Sequence, residues 1–243
     1  MSDDMAPAAT AATRAQLALL VVTLAALSGA SIAVAGPKVA CEVRGYAYAG
    51  AQDARVGHGI EATVLALTRP SVEEGDIAAW VGVGGPGLGS GGRDAWIQIG
   101  LNAFPGGDSH LYYEVAQPGA GIRYRELALN VRIGTRYRLA VLETALHRSW
   151  WRVWLDGAPV SRAFYLPGSE TWRPIFTAER WSAAVRTCNR FAYRFEHVRV
   201  AQAAGGSWGP FVFGARFADP GYRLIRAPLS AFVVTTGGPS ATP

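Results

Sequence analysis

The sequence has few charged residues and only two cysteines among its 243 residues. Half of the residues are apolar and 17% are charged, whereas a disordered chain has the opposite balance. Two cysteines are too few for a disulfide-dense scaffold or a multi-cysteine zinc module. The length therefore indicates a folded protein of one large domain, or of two small ones at most.

Lysine is almost absent, since Lys38 is the one lysine among 23 basic residues. The formal net charge is +5, but the arginines that carry it are scattered along the chain. Proteins that bind nucleic acids usually concentrate basic residues in a stripe or patch. We therefore expect no nucleic-acid partner.

The first 35 residues have the pattern of an export signal. Arg14 precedes an apolar run from Leu17 to Leu27, and Ala33-Val34-Ala35 provides an A-x-A cleavage site. This order is typical of a secretory signal peptide. Because the apolar character persists from Ala15 to Ala35, an uncleaved signal-anchor helix is the alternative. Both interpretations place the rest of the chain outside the cytoplasm, either secreted or anchored to the membrane.

Cys41 and Cys188 both follow this segment. An oxidising compartment favours a disulfide between them, and two buried free thiols are the alternative. The four histidines lack the spacing of metal ligands, and they are His58, His110, His147 and His197. A formal dinucleotide pattern at Gly82, Gly84 and Gly87 continues into further glycines instead of a helix, which the nucleotide-binding fold requires. We expect neither a metal nor a cofactor.

Alternating apolar and polar residues predict an all-β chain. The candidate strands are Glu61–Thr68, Ile77–Val83, Ala95–Leu101, His110–Ala116, Leu127–Ile133, Arg136–Glu143, Trp150–Leu155, Val160–Leu166, Pro174–Trp181 and Arg190–Val200. Asp156-Gly157 is a hairpin signal. About ten strands with short loops predict an antiparallel β-sandwich or jelly roll. We expect an extension over 36–59, the sandwich over 60–200, and a tail over 201–243 that packs on it.

The alternation also predicts which side chains share a face. Ile97, Ile99 and Leu101 form one face of their strand, and Trp96 and Gln98 form the other. By the same rule Tyr112 and Glu114 share a face, as do Thr177, Glu179 and Trp181. Aromatic rings beside amides and carboxylates suit a groove that binds an extended polymer. An ordinary second face covered by the tail is the alternative.

Four short segments occur in the order of a known family: Trp80-Val81-Gly82-Val83, Trp96-Ile97-Gln98-Ile99-Gly100, Tyr112-Tyr113-Glu114 and Thr177-Ala178-Glu179-Arg180-Trp181. With them the sequence resembles the glutamic peptidases called eqolisins, known mainly from fungi and with bacterial relatives. The resemblance covers about 100–120 residues. It implies a sandwich like that of concanavalin A and the hydrolysis of polypeptides at acidic pH.

The resemblance implies a catalytic pair, Gln98 and Glu179. Glu179 would take a proton from the attacking water, and Gln98 would donate hydrogen bonds to the oxyanion. The resemblance assigns Glu114 to the site, and we expect Trp80, Trp96 and Tyr112 to bind substrate. Arg180 follows Glu179 where the family has an aromatic residue, and we expect it on the opposite face.

Two other functions are compatible with the same residues. A carbohydrate-binding or carbohydrate-active module would stack sugars on Trp80, Trp96, Tyr112 and Trp154. Glu114 and Glu179 would then form the carboxylate pair of a glycosidase. A non-catalytic protein of the cell envelope is the third possibility, because a fold does not fix a function.

Overall fold

The computed structural model describes residues 44–184, 187–228 and 231–236. The predicted signal segment and Cys41 lie outside the described residues, so the export signal and the Cys41–Cys188 disulfide stay predictions. The described residues contain no α-helix, only 3₁₀ turns at Ser90–Gly92 and Ser169–Thr171. No described helix is long and apolar enough to cross a membrane.

Sixteen strands run through the described residues. The first eight are β1 (Gly45–Asp53), β2 (Gly59–Ala66), β3 (Asp76–Gly85), β4 (Ala95–Ala103), β5 (Ser109–Gln117), β6 (Gly121–Val131), β7 (Tyr137–Glu143) and β8 (Trp150–Leu155). The others are β9 (Ala158–Pro159), β10 (Phe164–Tyr165), β11 (Ile175–Ser182), β12 (Ala192–Ala201), β13 (Trp208–Pro210), β14 (Phe213–Ala218), β15 (Tyr222–Ala227) and β16 (Ala231–Thr236).

The strands form two antiparallel sheets. The seven-stranded sheet has the order β14-β1-β11-β3-β4-β5-β6, and the nine-stranded sheet has the order β10-β8-β7-β2-β12-β16-β15. Two short strands lie off this second path, β13 beside β12 and β9 beside β8. This architecture confirms the predicted all-β antiparallel sandwich.

The core lies between the two sheets and consists of the apolar side of each alternating strand. Ile97, Ile99 and Leu101 of β4 are fully buried in it, as the alternation predicts. Phe176 of the seven-stranded sheet stacks against Phe195 and Phe232 of the other, with ring centroids 5.1 Å apart in each pair. Burying large aromatic side chains removes much apolar area from water, and this holds the sheets together.

The sandwich includes strands outside 60–200. β1 lies inside the seven-stranded sheet between β14 and β11, although the sequence places it in the extension. The tail contributes β14 to this sheet and β15 and β16 to the other. Tyr48 of β1 and Asp219 are joined by two hydrogen bonds: the Tyr48 N–H donates to Oδ2 of Asp219 at 2.7 Å, and the Asp219 N–H donates to the Tyr48 carbonyl at 2.8 Å. The two ends of the domain therefore stabilise each other.

One predicted strand is interrupted. Val160–Leu166 forms no continuous strand; short strands lie on either side of residues 160–163. The reason is that the Ser161 hydroxyl accepts a hydrogen bond from the Val153 N–H at 2.9 Å, which occupies a donor of the neighbouring strand. The Asp156-Gly157 turn before it has positive φ at both residues, as a tight hairpin requires.

Candidate active site

The outer face of the seven-stranded sheet carries the predicted site residues. Because side chains alternate, the residues of β3, β4, β5 and β11 that do not enter the core all point to this face. The predicted residues on it are Trp80, Trp96, Gln98, Tyr112, Glu114 and Glu179, and they share it with Asp76, Asn102 and Thr177. We call it the carboxylate face. The fold thus brings together residues that lie up to 103 positions apart, from Asp76 to Glu179.

Gln98 and Tyr112 form the buried floor of this face. Gln98 is 7% exposed and Tyr112 is 2% exposed. Nε2 of Gln98 donates a hydrogen bond to the Tyr112 hydroxyl over 3.1 Å. This bond uses one of the two N–H groups of the amide, and it fixes which end of the amide points to the ring.

Tyr112 is also the point at which the acidic groups meet. Burial raises the pKa of its hydroxyl well above the usual value, and the negative charges of Glu179 and Glu114 raise it further. The hydroxyl therefore stays protonated and can donate a hydrogen bond at any pH at which the protein works. The Tyr112 hydroxyl is thus held by a hydrogen bond from Gln98, and the charge of Glu179 contributes to the rise of its pKa.

Asp76 is an ionisable group of this face whose pKa is strongly altered. Burial raises the pKa of Asp76 to about 6, and the charges of Glu114 and Glu74 contribute to the rise. Asp76 therefore holds its proton to a higher pH than an ordinary carboxyl group does.

Two tryptophans on the face have different roles. The indole N–H of Trp96 donates to Oε1 of Glu114 at 2.8 Å, so Trp96 orients this carboxylate. The indole N–H of Trp80 is buried and has no hydrogen-bond partner among the described residues. A buried donor without an acceptor is costly, and a ligand carbonyl would relieve that cost.

Arg180 lies on the other side of the strand, as the alternation predicts. It is buried, its Nη1 donates weakly to the Thr187 hydroxyl over 3.4 Å, and its charge helps to lower the pKa of Glu74. The larger cause of that lowering is a hydrogen bond from the Ser182 hydroxyl to Glu74. The arginine that replaces the family's aromatic residue is thus directed away from the face that carries Glu179.

The structure corrects the expected aromatic platform for sugars. Trp154 lies in β8 of the other sheet, so it cannot act together with Trp80. Tyr112 and Trp96 are buried and present no open ring surface to a sugar. Of the four expected rings, Trp80 alone remains partly exposed on the carboxylate face.

The sequence prediction missed three contributors to this face. Asp76 lies one residue before the predicted strand, although it has the same alternation as Trp80. Tyr46 and Tyr48 lie in the segment predicted to be an extension, which forms β1. Their rings stack at 5.8 Å, and Tyr46 also lies 6.5 Å from the ring of Trp181. Together these rings form an aromatic rim beside Glu179, since Tyr48 is the register partner of Glu179.

A second hydrogen-bonded group continues the face toward the sheet edge. Tyr124 stacks on Tyr112 with ring centroids 5.3 Å apart, and its hydroxyl accepts a hydrogen bond from Nδ2 of Asn102 at 3.0 Å. Nδ1 of His110 lies 2.8 Å from Oε1 of Glu126. No three His, Cys, Asp or Glu side chains of the described residues gather closely enough to hold a metal ion.

Solved structures with the same fold include two glutamic peptidases. Scytalido-glutamic peptidase, in complex with a peptide-based transition-state analogue, has a TM-score of 0.56 and 15% identity over 80% of this chain and 100% of that chain. SCP-B, a member of the Eqolisin family of peptidases in complex with the tripeptide Ala-Ile-His, has a TM-score of 0.53 and 16% identity, with 80% and 100% covered.

A carbohydrate-active protein matches less well. The kappa-carrageenase from Pseudoalteromonas carrageenovora, in complex with an oligotetrasaccharide, has a TM-score of 0.32 and 13% identity over 78% of this chain and 65% of that chain. Neither a protein-family model nor a curated protein matches the sequence. At identities this low the likeness establishes the sandwich fold alone.

Proposed function

We propose that this chain hydrolyses polypeptides at acidic pH and that Gln98 and Glu179 act together on one water and one peptide carbonyl. The observation that carries the proposal is that Gln98, hydrogen-bonded to the buried Tyr112 hydroxyl, and the Glu179 carboxylate point to the same face of one sheet. Hydrolysis of an amide needs both kinds of group, a base for the water and donors for the oxyanion.

The reaction can be written with the groups of this face. The Glu179 carboxylate takes a proton from water while the water oxygen bonds to the peptide carbonyl carbon. The second N–H of Gln98 and the O–H of Tyr112 donate to the oxygen that becomes negative. Glu179 then returns its proton to the peptide nitrogen as the carbon–nitrogen bond breaks, so the carboxylate is restored.

Acidic conditions favour this arrangement for an electrostatic reason. Below about pH 6 Asp76 holds a proton, because its pKa is raised to about 6. The face then carries less negative charge, which reduces the repulsion around Glu179 and toward the oxyanion. Above this pH the ionised Asp76 opposes the developing charge, and we expect the rate to fall.

Substrate binding follows from the groups along the groove. A peptide carbonyl would accept the buried N–H of Trp80, and the rim of Tyr46, Tyr48 and Trp181 would contact neighbouring side chains. Aromatic rims with few fixed polar groups are typical of sites that bind extended ligands. The burial of Tyr112 and Trp96 disfavours the glycan alternative.

The test is cleavage of an unfolded protein by the purified chain across about pH 2.5–7, because the mechanism assigns both groups to one transition state. We expect Glu179→Gln and Gln98→Ala each to lower kcat/KM by roughly 10²–10³-fold. Matched controls are Glu196→Gln on the other sheet and Gln117→Ala on β5, which should cleave like the unmodified protein.

Two results would contradict the proposal. The first is a folded Glu179→Gln protein that cleaves as fast as the unmodified chain. The second is the absence of any acid-dependent cleavage by the folded unmodified chain. In the second case the same proteins should be tested on soluble polysaccharides, where loss of hydrolysis in Glu179→Gln would support a glycosidase.

A further inference from the structure

A cavity lined by arginines opens at the edge of the sandwich, between the core side of β6 and the other sheet. It has a volume of about 560 Å³. β6 is the last strand of the seven-stranded sheet, and residues 159–164 of the other sheet form the opposite wall. The residues that give the cavity its character are Arg123, Arg125, Arg162, Tyr113, Tyr124 and Ser161. We call it the arginine cavity.

Three positive charges in this cavity are not neutralised by the protein. Arg123, Arg125 and Arg162 make no ion pair and no side-chain hydrogen bond with any of the residues that the structure describes. No Asp or Glu lines the cavity. Like charges repel, so three arginines around one space favour an anion between them.

The wall that carries Arg162 is held in place. Its guanidinium lies over the ring of Phe164, 5.4 Å from the centroid. The Ser161 hydroxyl beside it donates to the Arg162 carbonyl at 2.8 Å and accepts from the Val153 N–H. These contacts restrict the segment before any ligand binds, which reduces the entropy lost on binding.

The arginine cavity adjoins the carboxylate face through Tyr124. This residue lines the cavity, and its ring stacks on Tyr112 of the active-site floor at 5.3 Å. The strand alternation directs Arg123 and Arg125 to the core side of β6 and Tyr124 to the carboxylate face. The cavity and the carboxylate face thus lie on opposite sides of the edge strand β6, and a chain that crosses the floor reaches the cavity by passing around this edge.

We infer that the arginine cavity binds an acidic side chain of the polypeptide substrate, a few residues from the bond that is cleaved. This inference rests on the proposed function, because it assumes a peptide on the carboxylate face. The planar guanidinium group fits a carboxylate through two parallel hydrogen bonds, so arginine suits this ligand better than lysine. The chain would thus prefer substrates with Asp or Glu at one position.

The pH dependence of this preference is distinctive. Arginine stays charged throughout, whereas the carboxyl groups of a substrate Asp or Glu have pKa values of about 3.9 and 4.3. The preference should therefore be nearly full at about pH 5.5, fall as the pH drops through about 4, and be largely lost near about pH 2.5. Cleavage of a neutral peptide should lack the pH dependence that comes from the substrate carboxyl group.

The test uses pairs of peptides that differ by Glu or Gln at one position on either side of the cleaved bond. For the best position we expect kcat/KM to be about ten- to a hundredfold higher for Glu at pH 5.5. Arg123→Ala with Arg125→Ala, and Arg162→Ala separately, should reduce this ratio toward one without changing cleavage of the Gln peptide. Arg138→Ala, an exposed arginine of β7, is the control.

Direct binding separates the two proposals. The same acidic peptide, labelled and short, is titrated against the unmodified chain and the arginine variants.

Cleavage without any Glu preference overturns the inference and leaves the proposed function standing, and Arg123 and Arg125 then protect the strand edge from pairing. If the peptide binds in an arginine-dependent way but is not cleaved, the arginine cavity is an anion site and the proposed function is contradicted. Arginine-dependent binding of a sulfated polysaccharide but not of the peptide overturns the assignment to polypeptides.

Discussion

The two outer faces of the sandwich have the same strand alternation but differ in where their charged groups lie. On the nine-stranded sheet acidic and basic groups pair: Arg136 and Arg194 both contact Glu196, at 3.1 and 2.9 Å, and Arg199 contacts Glu61 at 2.5 Å. On the seven-stranded sheet several carboxyl groups point to one face, and burial is the main cause that raises the pKa of one of them, Asp76, to about 6.

This difference bears on the proposed function. Paired surface charges add little to stability. Carboxylates of like charge that lie close together destabilise the fold, and such groups concentrate at active sites. The proposed function therefore uses the carboxylate face, and the substitutions below compare this face with the other one.

Replacing Tyr112 by Phe should give a large change, although a smaller one than Glu179→Gln or Gln98→Ala. The substitution removes a donor to the oxyanion and the acceptor of the Gln98 hydrogen bond. We expect kcat/KM to fall about ten- to a hundredfold while the protein stays folded, as measured on an unfolded substrate near pH 4. Tyr137→Phe on β7 of the other sheet is the matched control. Equal losses in the two variants would contradict the role of Tyr112.

Asp76 predicts a dependence of stability on pH. Its pKa in the folded protein, about 6, lies above the ordinary 3.8. The folded chain therefore holds a proton that the unfolded chain releases, and the free energy of unfolding should decrease as pH rises from about 4 to 6. After allowance for solvent screening the decrease is on the order of 1–2 kcal/mol.

Asp76→Asn should remove this decrease, as measured by urea unfolding at several pH values. Asp108→Asn is the control, since Asp108 lies in an exposed pair with Arg69. If the free energy of unfolding has the same slope between pH 4 and 6 in Asp76→Asn and in the unmodified chain, the raised pKa of Asp76 is not the cause of that slope.

Trp80 and Trp154 provide a comparison of two similar groups on opposite faces. The indole N–H of each is buried without a hydrogen-bond partner among the described residues. Trp80→Phe keeps an aromatic ring at this position but removes the indole N–H that would donate to substrate, so we expect kcat/KM to fall about three- to tenfold. Trp154→Phe should leave kcat/KM unchanged. If the two substitutions lowered kcat/KM equally, activity would not depend specifically on the carboxylate face.

The sequence predicted much of this face because alternation alone decides which side a strand residue occupies. Gln98, Tyr112, Glu114 and Glu179 point to one face of the sheet, and Arg180 points to the other. Alternation does not predict which strands are neighbours, so the place of β1 beside Glu179 could not be foreseen. It also does not fix where a strand begins, and Asp76 is the first residue of β3.

The sequence also does not predict the arginine cavity, because alternation does not show which strands and loops meet in the fold. Arg123 and Arg125 belong to an edge strand, and Arg162 belongs to a loop of the other sheet. They form no stripe in the sequence and meet only because the two sheets end at the same edge. Scattered arginines can thus form a local positive site, although the composition gave no sign of one.

Arg136→Ala should have the smallest effect. Arg136 is largely exposed, and its ion pair with Glu196 is shared with Arg194. Solvent screening and the remaining partner should limit the loss of unfolding free energy to about 0.2–1 kcal/mol, and kcat/KM should not change. Urea unfolding at low and high salt measures the first quantity, and the peptide assay measures the second. A loss of activity here would mean that the paired face also takes part in function, and the contrast between the two faces would then fail.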